Sequence, residues 1–331
     1  MNSPIISVII PVFNTDIYLN EAVGSILNQT FRDIEIIIVN DGSTDNSLNI
    51  LKEFEKGDSR VVLIDQPNSG SSIARERALE ISKGEFLFFM DSDDILEPCA
   101  LEICCKEAIK ESLDMVFFDA VSFSDDNKLN AQSFHYNRKG VVCEGIYNGV
   151  EIMEILLSKD LFRVAPWMHL FRKELATENG LEFYPRIIHE DELFFSQLYL
   201  FAKRVKYIPE NFFRRRLRAN STMTTRFSLK NINSYFTIVK ELEKTKERAG
   251  SSSAQVIEGL IFNILSGVAY QSGQLSLKTR FYVLKFILKN GYISGIKIKS
   301  LLVLLFPISI YLKSTIIKPA LKFLKKLSRR F

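Results

Sequence analysis

Short, continuous apolar runs alternate with segments of helical spacing along the first hundred residues. Residues 5–10 (IISVII), 34–39 (IEIIIV), 61–64 (VVLI) and 85–90 (EFLFFM) are rich in β-branched or aromatic side chains, the pattern of strands buried on both faces. Between them apolar residues recur every three or four positions. This predicts helices over 17–29, 44–56 and 71–83, the second with Ser43 and Thr44 as candidate caps. Strands alternating with helices predict an α/β fold on a mostly parallel sheet with right-handed crossovers.

Beyond Asp94 the alternation loosens. The pattern predicts a helix near 98–111, a strand at 114–118, a hairpin-like stretch through Gly145, two helices within 148–203 around the segment WMHLF, and a short strand at 205–208. A charged helix over 232–248 stops at Gly250-Ser251-Ser252-Ser253, and the chain beyond that break is helical in pattern. These shifts divide the chain into a body, 1–225, with halves 1–98 and 99–225, and a helical extension, 226–331.

Length and composition, 331 residues with 47% hydrophobic and 25% charged, are those of a globular chain large enough for a sizeable core. Four cysteines without C-x-x-C spacing and only three histidines favour a reduced, cytoplasmic setting over a zinc or disulfide scaffold. The N-terminal apolar run is strand-length and lacks a charged n-region, so no signal peptide is expected. Charge is uneven. Residues 251–331 hold thirteen Lys and Arg against one acid, Glu258, a net +12 that leaves −8 on residues 1–250.

The run 301–312 (LLVLLFPISIYL) is interrupted by Pro307 and falls short of the about 20 residues a spanning helix needs. Residues 316–331 then interleave Ile316, Ile317, Leu321, Phe323, Leu324 and Leu327 with Lys318, Lys322, Lys325, Lys326, Arg329 and Arg330. That composition suits the face of an anionic membrane, and equally a helix packed on the body with a solvated basic side. Nucleic acid is not the expected partner, because aromatics do not alternate with the charges as stacking platforms require.

In an open parallel sheet, ligands bind beyond the carboxyl ends of the strands. Those ends carry Pro11-Val12-Phe13-Asn14, Asn40-Asp41-Gly42-Ser43 and Asp91-Ser92-Asp93-Asp94. The first turn has no G-x-G-x-x-G, so another device must neutralise any phosphates. Asp91 and Asp93, two apart just past a buried strand, are candidates to hold a hard divalent cation, Mn²⁺ or Mg²⁺, through oxygen. A solvated turn is the plainer alternative.

The stretches ISVIIPVFNTDIYLNEAVGSILNQT, IEIIIVNDGSTDNS and NSGSSIARERALEISKGEFLFFMDSDD, with WMHLFRKEL and HEDELF later, resemble the family 2 nucleotide-sugar glycosyltransferases of GT-A fold. The likeness is strong over about 5–98, weaker over 160–225 and absent from the last eighty residues. It implies an inverting, metal-dependent transfer of a hexose or N-acetylhexosamine from a UDP-sugar to a glycan or lipid-linked oligosaccharide. The setting it implies is surface polysaccharide synthesis, such as capsule or O-antigen, at the inner face of the plasma membrane.

The likeness also implies roles by residue. Asp41 matches the base-reading aspartate, an acceptor-only group suited to the N3–H of uracil and not to cytosine, with thymine and guanine, which also carry a ring N–H, left open; capping the following helix is its alternative. Phe13, with Pro11 and Val12 beside it, matches the ring stacked on the base, and Arg75 the arginine that approaches the nucleotide, although Glu76 stands where an asparagine is usual. Asp93 matches the direct metal ligand. Asp91, with Ser92, matches the ribose or a metal-bound water, and Asp94 is a substitute ligand.

In HEDELF, Asp191 matches the general base, with Glu190 beside it; acids favoured in a first helical turn are the alternative. Trp167 is either an acceptor platform or a buried anchor. Arg216 and Arg218, in the run Arg214-Arg215-Arg216-Leu217-Arg218, are candidates to grip a diphosphate. Two rivals share these features, a nucleotidyltransferase and a catalytically silent nucleotide-sugar-binding or scaffolding subunit. The first lacks a glycine- and lysine-rich loop here, and the intact D-x-D and E-D weigh against the second.

Overall fold

A computed structural model describes residues 3–125, 136–218 and 226–306. The chain divides into two compact units, Met1–Thr225 and Arg226–Phe331. Residues 126–135, within the hairpin-like stretch expected before Gly145, and the basic segment 316–331 lie outside the described residues.

In the first unit β1 (Ile6–Val12), α1 (Asp16–Leu27), β2 (Ile34–Asp41), α2 (Ser47–Gly57), β3 (Val61–Gln66), α3 (Ser71–Ile81) and β4 (Phe86–Phe89) follow one another. The strands pair in parallel in the order β3-β2-β1-β4, with Ile6 opposite both Ile34 and Phe86. Val8, Ile10, Ile36, Ile38, Phe86 and Phe88 are wholly buried against Leu19, Val23 and Ile26 of α1 and Leu51 of α2. Each such side chain stabilises the fold by roughly 1.5–3 kcal/mol. The helices therefore lock the strand ends in place.

α2 starts three residues later than expected, because Asp41–Thr44 is a turn and Gly42, at φ +70°, bends the chain away from the helix. Asn46, and neither Ser43 nor Thr44, stands at the cap position.

The remaining elements of this unit are β5 (Ile95–Leu96), α4 (Ala100–Lys110), β6 (Met115–Phe123), β7 (Ile146–Tyr147), α5 (Gly149–Ser158), β8 (His169–Arg172), α6 (Lys173–Glu178), α7 (Glu190–Phe201) and β9 (Val205–Arg216). Among the described residues they extend the sheet to the order β3-β2-β1-β4-β8-β6-β9-β5, with β7 on β9. β8 runs antiparallel between β4 and β6, and β9 runs parallel to β6. WMHLF is thus a 3₁₀ turn, Pro166–Met168, leading into a central strand. A short run of this kind carries no periodicity of its own to separate strand from helix.

In the second unit α8 (Leu229–Ala249), α9 (Ser251–Ser272), α10 (Leu277–Lys289) and α11 (Ile298–Leu305) pack around α9. Gly250, at φ +81°, makes the break between the first two. α9 is the one described helix long and apolar enough to cross a membrane by length and composition. Yet 56% of its apolar window is buried by protein, the situation of a core helix.

Candidate active site

The carboxyl ends of β1, β2 and β4 are stitched together by short polar side chains. Asn14, at φ 52°, accepts from the Thr44 N–H (2.7 Å) and its own N–H donates to Ser43 Oγ (3.1 Å). The Thr15 N–H donates to Ser47 Oγ (3.2 Å), and the Thr15 and Ser92 hydroxyls share a hydrogen bond of 2.9 Å. Ser92 is thereby committed to holding β4 against β1. Phe13 projects from this edge with nearly half its surface exposed (47%), Pro11 is half-buried, and the Val12 side chain lies in the core. A nucleotide could meet Val12 only through its backbone.

Asp41, at the end of β2, is buried and uses both oxygens. Oδ1 accepts from Gln66 Nε2 and the Ser69 N–H, and Oδ2 from the Gly70 N–H, each at 2.8 Å. It caps no helix; it draws the loop after β3 onto the strand edge. A carboxylate has about four lone-pair sites, so one acceptor position on Oδ2 remains.

Arg75, on α3, is the hub. Its Nη1 donates to Glu190 Oε1 at 2.7 Å and its Nη2 to Asp91 Oδ1 at 3.1 Å, while Nε is buried with no acceptor among the described residues. The Ser71 hydroxyl donates to the same Glu190 oxygen. One buried guanidinium therefore ties the D-x-D turn after β4 to the first turn of α7. The neighbouring pair holds it charged.

His189 precedes α7 in the left-handed region, at φ 68°, and places Glu190, Asp191 and Glu192 in its first turn. Burial, then the adjacent Glu190 charge, pushes the Asp191 carboxyl up to about 7 against the pull of Arg75. Glu192 also reaches about 7 through burial, opposed by Arg163. Both acids occupy helix-start positions, and both titrate near neutrality.

The carboxylates after β4 are partnered by arginines. Arg218 Nε donates to Asp93 Oδ2, and the Arg216 N–H donates to Asp94 Oδ1 at 2.6 Å. Burial first, then the like charge of Asp93, raises the proton affinity of Asp91, and of Asp94 far more. Among the described residues, no three His, Cys, Asp or Glu side chains converge as a metal cluster. A cavity of about 390 Å³ lined by Ser3, Lys83, Gly84 and Lys173 lies at the opposite, amino edge of β1 and β4, away from this chemistry.

Residues 7–179, more than half of the chain, match the family model of Glycosyl transferase family 2. The chain belongs to this family. The family 2 transferase is 33% identical over 221 residues to Glycosyltransferase GlyA of Streptococcus pneumoniae serotype 4, covering 65% of this chain and 31% of that one. It is 30% identical over 243 residues to the uncharacterized glycosyltransferase YibD of Escherichia coli, covering 72% and 70%. The chain thus spans about a third of GlyA. Its fold is that of Staphylococcus aureus TarS, solved with UDP-GlcNAc, at TM-score 0.65 and 21% identity over 88% of this chain and 79% of that one. The GT-A architecture expected from the sequence is the one observed.

For the transferase, one of the two readings of Trp167 is selected and the expectation for Arg216 is corrected. Trp167 is buried, stacked on Phe213 with centroids 4.3 Å apart and meeting Tyr136 edge-on, so it offers no face to a sugar and is a core anchor. Arg216 is not a free grip for phosphate. Its Nε donates to the Asp93 carbonyl (2.9 Å), its terminal nitrogens to Glu21 and Asp125, and its guanidinium lies over Phe123 and Tyr18. It is a strut that holds β9 against the D-x-D turn.

Arg218 remains near the site, held by Asp93. Sequence reasoning missed Ser71, Asn14 and Thr15 because a single Ser, Asn or Thr carries no pattern. The one available signal was their position at a strand end or helix start.

Proposed function

We propose that the chain is an inverting glycosyltransferase that moves a hexose or N-acetylhexosamine from a UDP-sugar to a glycan acceptor, building surface polysaccharide such as capsule or O-antigen. The observation that carries this reading is the Asp91–Arg75–Glu190 bridge. It joins the donor edge to Asp191, whose carboxyl titrates near neutrality. Asp191 takes the proton of the acceptor hydroxyl as its oxygen forms a bond to the anomeric carbon. The bond from that carbon to the diphosphate breaks, and its electron pair leaves with the nucleoside diphosphate. Attack opposite the leaving group inverts the centre.

Asp41 reads the N3–H of uracil with its remaining acceptor site, and Phe13 stacks on the base. Arg75 holds Asp91 and Glu190 together beside the donor, and its Nε–H is buried without an acceptor among the described residues.

Asp93 and Asp91 suit a divalent cation. They are hard oxygen donors; burial first, and then the like charge of Asp93, raises the proton affinity of Asp91 and Asp94, and a cation would offset both. Asp93 and Asp91 would hold Mn²⁺ or Mg²⁺, which would supply charge neutralisation of the departing diphosphate. The acceptor is lipid-linked, and the C-terminal basic segment holds the enzyme on the anionic inner face of the membrane.

Calorimetric titration with UDP and CDP, each with Mn²⁺ and then EDTA, tests the donor assignment. Metal-dependent binding of UDP and none of CDP is expected. Equal binding of both removes Asp41 from base recognition, and no binding of either returns the silent scaffold or a different nucleotide, with GDP and TDP tested next.

A further inference from the structure

We propose that α10 and α11 form a docking surface for an anionic lipid bilayer. α10 buries Val283 and Ile287 and stacks Phe286 on Phe236 of α8, yet it keeps a second apolar stripe on another side. Leu277, Phe281 and Leu288 are exposed at spacings of four and seven, with Leu284 half-buried between them; Phe281 is 67% exposed. One step round the helix lie Lys278, Tyr282, Lys285 and Lys289, all exposed. α11 repeats the arrangement, with Ile298 (77% exposed), Leu302 and Leu305 at spacings of four and three, flanked by Lys297 and Lys299. The buried Arg280 side chain donates to the Leu304 and Leu305 carbonyls, which fastens the end of α11 to the first turn of α10.

Charge selects the occupant. Residues 259–306 contain no Asp or Glu, and none of these five lysines is ion-paired with a carboxylate among the described residues. A second copy of the chain would set lysines against lysines. Phe281, with Tyr282 at its edge, is the one aromatic side chain among the stripe residues named, which leaves no series of rings on which successive nucleic-acid bases could stack. An apolar stripe edged by lysines and a tyrosine is what a helix lying in the headgroup region presents, with aliphatic groups entering the acyl boundary and ammonium groups meeting lipid phosphates.

The inference deepens the membrane part of the proposed function. It is read without sugar transfer, so the two fail separately. Flotation of the full chain with vesicles of phosphatidylcholine, alone or with one third phosphatidylglycerol, is the test. Partitioning onto the anionic vesicles only, weakening with salt, is expected. Lys285→Ala with Lys289→Ala lowers it about twenty-five-fold, at about fivefold per charge. Phe281→Ser with Ile298→Ser lowers it at an unchanged melting temperature, and should that pair not fold, the lysine pair still decides.

Replacing Lys322, Lys325 and Lys326 by Ala separates the C-terminal segment, and the stripe-dependent part persists. The proposal is overturned by stripe variants that float like the parent, by absence of flotation, or by a dimer that these variants dissolve without altering flotation.

Discussion

Replacing Asp191 by Asn separates its chemistry from its cost to stability. Its carboxyl sits at about 7 in the folded protein, raised by burial and then by Glu190, whereas an aspartate in an unfolded chain titrates near 3.9. Between those values the native state holds a proton that the unfolded state has released. Stability therefore falls as pH rises, by about 1.4 kcal/mol per unit, and levels off above about pH 7. Over about three units the loss is at most about 4 kcal/mol. An Asn side chain carries no charge at any pH, so Asp191→Asn matches the parent near pH 4 and is more stable than it at pH 8. The same change removes the proton acceptor, and kcat falls about 10²–10⁴-fold. Urea unfolding at pH 5, 6.5 and 8, beside transfer assays, reads both effects. A variant less stable than the parent at pH 8, or one that transfers sugar at the parental rate, refutes the reasoning.

Other changes probe the neighbours. Glu190→Gln removes the like charge beside Asp191, so the acid limb of the kcat/KM pH profile shifts below 7; an unmoved limb removes Glu190 from control of the base. Asp41→Asn leaves one acceptor oxygen for three donors, costing about 1–3 kcal/mol of stability and weakening UDP binding by calorimetry. Unchanged melting and unchanged affinity together would remove Asp41 from both roles. Trp167→Ala costs about 3–5 kcal/mol with acceptor KM unaltered in the folded fraction. A raised acceptor KM without lost stability would restore Trp167 as a platform.

Much of the candidate site was legible in linear sequence, because its residues follow strands whose apolar runs announce them. Asp41, Asp91, Asp93 and Asp191 each stand at the end of a strand or the start of a helix that composition alone predicts. The arginines were misjudged for the opposite reason. Read as a string, Arg214-Arg215-Arg216 is a basic run in want of an anion, yet within β9 successive side chains point to opposite faces. Arg216 is turned to Glu21, Asp125 and the Asp93 carbonyl, while Arg215 meets Tyr136. Trp167 was ambiguous because burial depends on what packs above a residue, here Phe213 from a strand 46 positions away.

By itself the sequence determined the alternating α/β half, the edge at which the candidate site residues gather, and the uneven charge between body and extension. These follow from local periodicity and from residue types whose chemistry is intrinsic. Only the tertiary structure decided that WMHLF leads into a central strand, that Arg75 bridges Asp91 and Glu190 across 115 positions of sequence, and that α10 keeps an apolar face uncovered. Each of these depends on which segments meet in space. Contacts between distant residues are settled by burial and hydrogen-bond satisfaction over the whole fold, which no window of sequence contains.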